Sequence, residues 1–281
     1  MNLPGTPAAP ARDEPARAAP PGASGAAAAA VAALAPLPPG RALEARELLA
    51  LFHRSAPHYE RIVRTMSLGL DGRYRREAVA RAGIGRGMCV LDVGAGTGAV
   101  ARAARDAVGP SGLVTAIDPS RAMLREARGG GVRRAACAIA EALPFRDESF
   151  DAVTMGYALR HVVDLVAAFR EFRRVLRPGG IVLVLEQTPP ATRLGRSIFR
   201  AYMRGFVPVL TRVVTRSRDA EELMAYYWRT IEDCVDAEAV LLALRRSGLE
   251  SVGRHVEKGA FSEYRARRPP SLRAAIAPAP A

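Results

Sequence analysis

The stretch 90-VLDVGAGTGAVA-101 limits the fold more than any other part of this chain. An apolar run without polar alternation reads as a strand buried on both faces, as in a parallel sheet. It ends in glycines at 94, 96 and 98, and an Ala-rich segment of helical spacing follows. Gly94 can take the positive φ of a tight turn. Gly96 and Gly98 are expected to let a ligand approach the backbone, and the next helix points free N–H groups toward it. The spacing GAGTG, with Ala99 after it, departs from the G-x-G-x-x-G of a dinucleotide turn, and no Walker lysine follows, which excludes a P-loop.

The same strand–helix alternation continues on both sides. Helices are expected over 41–54, 73–82, 98–107, 120–128, 164–176 and 236–247. Strands are expected at 88–94, 113–118, 135–139, 150–156, 181–186, 249–256 and 259–265. This order predicts an α/β fold, a doubly wound and mostly parallel seven-stranded sheet with right-handed crossovers. Residues 192–232 break the rhythm with a helical segment bearing Phe199, Tyr202, Phe206, Tyr226, Tyr227 and Trp228, and read as an inserted cap.

In residues 1–40, Ala, Pro and Gly make up 28 positions, with nine of the 21 prolines. Few large apolar groups there offset ordering entropy, so 1–40 reads as a disordered tail, and 268–281 reads likewise. The domain is expected over 41–267. The longest apolar run without charge or proline, 26–35, has ten residues, against the roughly 20 of a spanning helix. Cys89, Cys137 and Cys234 lie far apart, which suggests a reduced, cytoplasmic setting without a disulfide framework. The formal charge is +13, yet only Lys258 among 41 basic residues is lysine. Dispersed arginines without an interleaved aromatic stripe argue against a nucleic-acid partner.

Asp118 ends the second strand, 20 residues beyond Gly98. An acid there can accept hydrogen bonds from both hydroxyls of a ribose. The two features together describe an adenosine site without a pyrophosphate. The plainer alternative is a tight turn followed by a helix cap at Asp-Pro-Ser.

LDVGAGTG, AIDPSRAMLREAR, AEALPFRDESFDAV and LRPGG together resemble the class I S-adenosylmethionine-dependent methyltransferases. FHRSAPHYER, TMSLGLDGRYR, YALRHV, FREFRRVLRPGG, LVLEQTPP and FSEY resemble, more narrowly, the C-methyltransferase family of ubiquinone and menaquinone biosynthesis, over roughly 47–266. The resemblance implies S-adenosyl-L-methionine as cofactor. It implies a cofactor site of Tyr59, Asp92, Gly94, Ala95, Gly96, Gly98, Asp118, Pro119, Met123, Ile139, Ala140 and Gly156. Tyr59 belongs to an element that closes over the cofactor in the family, with Glu60 here in place of Asp; the plainer reading is a helix aromatic on the sheet. Ala101, Ile139 and Gly156 replace polar family residues, each substitution removing about 0.5–1.5 kcal/mol of side-chain hydrogen bonding. Ile139 is then expected to lie against the adenine.

The resemblance also implies a small-molecule substrate, aromatic, quinol or polyketide-like and lipophilic. Carbon methylation is favoured over oxygen methylation; a protein of this fold that binds the cofactor for other chemistry is the alternative. Peripheral membrane contact and a homodimer both remain open. Arg160 matches a family arginine linked to substrate deprotonation; arginine is no base near neutral pH, so it is expected to stabilise a phenolate. His161, with an ordinary pKa of about 6.5, is a candidate base or simply a loop cap. Tyr157, Glu186, Tyr202, Tyr226, Tyr227 and Trp228 are expected at the substrate, Glu186 alternatively capping a helix and the aromatics alternatively forming core. No histidine pair has metal-ligand spacing, so no metal is expected.

Overall fold

The structure is a computed structural model that describes residues 39–67, 69–216, 222–224, 226, 231 and 235–271. The expected tails, up to residue 38 and from 272, lie outside the described residues, as do Tyr227, Trp228 and Cys234. The chain begins with helices α1 (Pro39–Met66) and α2 (Asp71–Arg81), then alternates β1 (Cys89–Val93), α3 (Ala99–Val108), β2 (Leu113–Ile117), α4 (Arg121–Gly129) and β3 (Arg134–Ala136). Next come β4 (Phe150–Gly156), a 3-10 turn at Leu159–His161, α5 (Leu165–Val175) and β5 (Leu176–Gln187). A cap of α6 (Arg193–Ala201), a π-turn (Tyr202–Phe206) and α7 (Val207–Thr215) precedes α8 (Ala237–Arg246), β6 (Glu250–Glu257) and β7 (Phe261–Arg267).

The sheet has seven strands in the order β3-β2-β1-β4-β5-β7-β6, and β7 alone runs antiparallel to its neighbours β5 and β6. All five residues of β1 are buried, as the unalternating apolar run requires. Val93 pairs with Ile117 on one side and Met155 on the other, so β1, β2 and β4 end level with one another. The chain order reverses between β1 and β4, and open α/β sheets bind ligands at such a switch point.

Two layers of helices cover the sheet. Phe169, Phe172, Val240 and Leu244 of α5 and α8 pack with Leu91, Val153 and Val184 on one face. Ala78, Val79, Val100 and Ala104 of α2 and α3 pack with Val90, Ala152 and Leu183 on the other. Helix α1 runs well beyond the expected 41–54 and contains Pro57, which removes one N–H donor from the helix ladder. Packing carries it onward: Leu51 meets Met203 and Val207 of the cap, and Ala56 meets Ala122 and Met123 of α4.

The ends differ slightly from the sequence reading. Pro39 and Gly40 already belong to α1. At the other end, the Arg268 guanidinium donates to the Leu176 carbonyl and, at 2.6 Å, to the Glu148 carboxylate. Strand β5 begins at Leu176 rather than 181.

Gly98 corrects one expectation. It is the left-handed N-cap of α3, with φ 83°, and a Cβ on it would lie 2.8 Å from Val132 Cγ2 and 3.1 Å from Ala127 Cβ. Its missing side chain therefore admits the segment around α4, not a ligand. Gly98→Ala should cost about 2–4 kcal/mol, the sum of left-handed backbone strain and overpacking. Urea unfolding checks this; a loss under 1 kcal/mol would mean that α4 yields freely.

Candidate functional site

A cavity of about 340 Å3 opens at the level ends of β1, β2 and β4. Val93, Gly94 and Gly96 form its floor, and Asp118, Pro119, Ser120 and Met123 one side. Ile139, Ala140 and Glu141 form another side, and Met155, Gly156, Tyr157, Ala158 and His161 the side after β4. Leu48, Leu49, Phe52 and Tyr59 of α1 cross over it.

The polar end is built from the backbone outward. Asp118 is 8% exposed, and its carboxylate accepts from Gly96 N–H at 2.9 Å and from Ser120 N–H at 2.8 Å. Burial raises its pKa to about 6, against the pull of these two bonds. The cap of α4 is Ser120, whose hydroxyl accepts from Met123 N–H, so Asp118 is spared that task. A Cβ on Gly96 would meet nothing within 4 Å, whereas one on Gly94 would lie 2.6 Å from Ala158 Cβ. Gly96 thus leaves backbone bare toward the cavity, and Gly94 lets the loop after β4 close in.

Glu60, the residue after Tyr59, fastens α1 to this turn. Its carboxylate accepts from Thr97 Oγ1 and from Arg102, each at 2.6 Å, and Arg102 also donates to the Thr97 carbonyl at 2.7 Å. Burial works to raise the Glu60 pKa, but these hydrogen bonds outweigh it and leave the carboxyl below its usual range. The substitution of Glu for Asp next to Tyr59 was legible; its partners, about 40 residues away, were not.

Several expected residues sit elsewhere. Asp92 is fully buried beneath the turn; its Oδ1 accepts from Thr154 Oγ1 at 2.7 Å, and burial raises its pKa to about 7. Ala95 and Ala101 pack with Ala127 and Val132 behind the turn. Gly156 borders the cavity, but a Cβ there would strike Val100 Cγ2 at 2.5 Å, so Val100 occupies the room a family serine would need. Tyr202 stacks on the exposed ring of Phe206 in the cap, 5.6 Å between rings, and does not line the cavity.

Arg160 and Glu186 are corrected together. Arg160 Nη2 lies 3.1 Å from Glu186 Oε1, with 3% and 0% of the two side chains exposed. Neither lines the cavity. Burial raises the Glu186 pKa, and the Arg160 charge opposes it. The pair anchors the loop after β4 from beneath rather than facing a substrate oxygen. Tyr157 borders the cavity with a positive φ of 58°, yet its ring lies under the Arg75 guanidinium, 5.2 Å from carbon to centroid. Arg75 in turn forms an ion pair with Asp71.

His161 does reach the cavity wall. Its ring stacks on Tyr226 at 5.6 Å and meets the edge of Phe52 at 5.3 Å. Tyr226 Oη lies 2.9 Å from Nδ1, while Nε2 is shielded from solvent and has no hydrogen-bond partner. Burial, then the neighbouring Arg160 charge, lowers its pKa to about 3. A histidine titrating near 6.5, as the sequence suggested, is therefore replaced by a neutral imidazole. The lining from α1, Leu48, Leu49 and Phe52, went unread as a site because its spacing signalled only an amphipathic helix.

The buried ion pair makes a stability prediction. Arg160→Ala strands a fully buried carboxylate and should cost about 3–5 kcal/mol of folding stability. Denaturant unfolding of the variant checks this. Unchanged stability would mean that the loop stands without the pair.

The sequence matches the model of the ubiE/COQ5 methyltransferase family over residues 41–263. It is 32% identical over 219 residues to the ubiquinone/menaquinone biosynthesis C-methyltransferase UbiE of Azotobacter vinelandii, covering 75% of this chain and 85% of that one. It is 36% identical over 225 residues to a demethylmenaquinone methyltransferase of Mycobacterium sp., covering 80% and 95%. The fold matches that of a SAM-dependent methyltransferase from Thermotoga maritima, described as a possible histamine N-methyltransferase, with TM-score 0.53, 22% identity and coverage of 78% and 98%. It also matches a SAM-dependent methyltransferase from Aquifex aeolicus, with TM-score 0.52, 20% identity and coverage of 71% and 92%. With a glycine turn, a buried acid at the next strand end and a family match across most of its length, the chain belongs to the ubiE/COQ5 methyltransferase family and is an S-adenosylmethionine-dependent methyltransferase.

Proposed function

We propose that the enzyme methylates a ring carbon of a lipophilic phenol or hydroquinone seated against the apolar wall of the cavity. The observation that carries this reading is one cavity with two chemically distinct parts. Gly96 and Asp118 bring polar groups at the glycine turn, and Leu48, Leu49, Phe52, Val162 and Val163, with His161 among them, give an apolar stretch of wall bordered by Glu141 and Asp164. The naming of the relatives for quinone biosynthesis and demethylmenaquinone supports a quinol-type ring.

The bare backbone at Gly96 fits the approach of S-adenosylmethionine, which supplies, when bound, a methyl group on a positively charged sulfur. Asp118 would accept from the ribose hydroxyls, and Gly94 and Gly96 would offer backbone to its amino-acid end. Ile139, Met123 and Pro119 would flank the adenine, with Ala140 giving a backbone contact, and Tyr59 would close from α1. Tight positioning in a dry cavity provides much of the rate in such a transfer.

Carbon attack is helped when the neighbouring hydroxyl loses its proton and charge spreads into the ring. An imidazole with a pKa near 3 is a poor base at neutral pH. It is a good neutral donor. We take Tyr226 Oη as the donor to Nδ1, which leaves the His161 proton on Nε2. That nitrogen is covered in this structure, so a turn of the ring on substrate entry would expose it and let it donate to the ring oxygen as charge develops. The hydroxyl proton leaves to water. Once the ring carbon carries the methyl group, it gives up its own hydrogen as a proton to water while the oxygen takes one back, restoring the aromatic phenol. The Arg160–Glu186 pair holds the loop that presents His161, and Arg160 is a positioning residue.

Two expectations follow for the cofactor and the ring. Asp118→Ala should weaken S-adenosylmethionine binding by about 2–3 kcal/mol, since two hydroxyls lose a charged acceptor. The ionised carboxylate is the better acceptor, and its pKa is raised to about 6. Wild-type affinity should therefore be level above pH 7 and fall as pH drops through 6, while the variant should be level throughout. Calorimetric titration at several pH values reads both. An affinity untouched by the substitution would put the ribose elsewhere.

His161→Phe keeps the ring stack and removes both nitrogens. It should lower single-turnover methyl transfer to a demethylated menaquinol by about 10²-fold, with cofactor affinity preserved. The wild-type rate should show no inflection near pH 6.5. Carbon-13 NMR of the product from labelled cofactor distinguishes a ring methyl from a methoxy group. A methoxy product would overturn the carbon assignment, and a wild-type rate in His161→Phe would remove His161 from the chemistry.

A further inference from the structure

The cap leaves an apolar face uncovered. Leu194, Ile198, Phe206, Val209 and Val213 are 71%, 62%, 51%, 65% and 67% exposed. They run from α6 through the π-turn into α7. At about 100° per residue, the eight residues from Ile198 to Phe206 would place these two about 80° apart on a plain α-helix. The π-turn Tyr202–Phe206 takes up about one extra residue and swings the helix back, so the two fall within about 20° of each other. Val209 and Val213 continue the same line at spacings of three and four. Met203, Val207 and Thr211, on the opposite side, are buried. The π-turn thus keeps one straight apolar stripe along the whole cap helix.

The charge beside the stripe has one sign. Residues 193–216 hold arginines at 193, 196, 200, 204, 212 and 216, and no Asp or Glu. The whole chain has 41 basic and 28 acidic residues. Arg193 and Arg216 stand near the two ends of the stripe, and both are exposed. An exposed apolar stripe flanked by cations is the pattern of a helix that lies in the headgroup region of a membrane. Among the described residues no helix is long and apolar enough to cross one.

We propose that the α6–α7 face docks this enzyme on an anionic lipid bilayer, with the stripe entering the headgroup boundary and the arginines at the lipid phosphates. The buried side of the same helix places Met203 and Val207 on Leu51 of α1, and the neighbouring Leu48, Leu49 and Phe52 line the cavity. The docked face therefore stands one helix away from the apolar wall of the cavity. That last consequence rests on the lipophilic-substrate reading; the docking itself does not.

The test is co-sedimentation of the full chain with vesicles of phosphatidylcholine alone and of three parts phosphatidylcholine to one part phosphatidylglycerol. Binding should be strong only to the second and should fall steeply with salt. Arg193→Gln with Arg216→Gln should weaken it about 25-fold, at about 5-fold per arginine. Ile198→Asp with Val209→Asp should weaken it at least about 10-fold by removing apolar burial. These exposed positions should leave circular dichroism and cofactor affinity unchanged. Three results would overturn the proposal: no binding to anionic vesicles at low salt, binding that survives both double variants, or a dimer in vesicle-free buffer that Ile198→Asp with Val209→Asp dissociates. The last would give the face to a second copy of the chain. Loss of methyl transfer with vesicle binding intact would count against the chemistry alone.

Discussion

The site depends on a carboxylate held by the backbone. Asp118 is nearly closed to water, and its hydrogen bonds come from the N–H groups of Gly96 and Ser120. These two bonds tie the tip of the glycine turn to the entrance of α4, so two successive β–α units are joined at the point where their strands end level. The arrangement leaves the charge undersolvated, which is why its pKa is raised to about 6. Such a group opposes folding fully above its folded pKa, and the penalty fades as pH falls from about 6 to the ordinary carboxylate value of 3.8. Asp92, raised to about 7 beneath the same turn, acts in the same sense. Both acids make the unliganded turn uneasy at neutral pH. A ligand that brings hydroxyl donors to Asp118 relieves one of them, so part of the binding energy comes from a charge the empty site solvates poorly.

The β–α order was readable because parallel strands lie between two helical layers and so read as plain apolar runs. Asp118 was readable for a related reason: one β–α–β unit has a nearly fixed length, so spacing from the glycines locates the next strand end. Spacing could not say what each glycine makes room for. Gly96 opens toward the cavity, Gly98 toward Val132 and Ala127, and Gly156 toward Val100. These neighbours come from separate segments, and only the folded chain brings them together.

The loop after β4 shows the same limit more sharply. Its sequence announced an arginine and a histidine at the right edge of the sheet, and both are there. Their states were set by residues far along the chain. Glu186, at the end of β5, draws Arg160 inward to 3.1 Å. Phe52 of α1 and Tyr226 of the cap enclose His161 and, with the Arg160 charge, hold it neutral. A residue type near a cavity suggests a role; the dielectric and the neighbouring charge decide whether it acts as base, donor or buckle.

Helix α1 connects these parts, because its inward residues reach four different neighbours while Glu47, Ala50, Arg54, Pro57, Arg61 and Arg64 face solvent. Glu60 grips the glycine turn through Thr97 and Arg102, Ala56 packs on α4, Leu51 packs on the cap, and Phe52 touches His161. The glycine turn, the histidine and the cap are therefore all braced against one helix. Any shift of α1 away from the sheet must break the Glu60 bonds and unpack His161 at once. The glycine turn and the cavity wall at His161 are in this way held by the same seated helix, so neither can loosen alone.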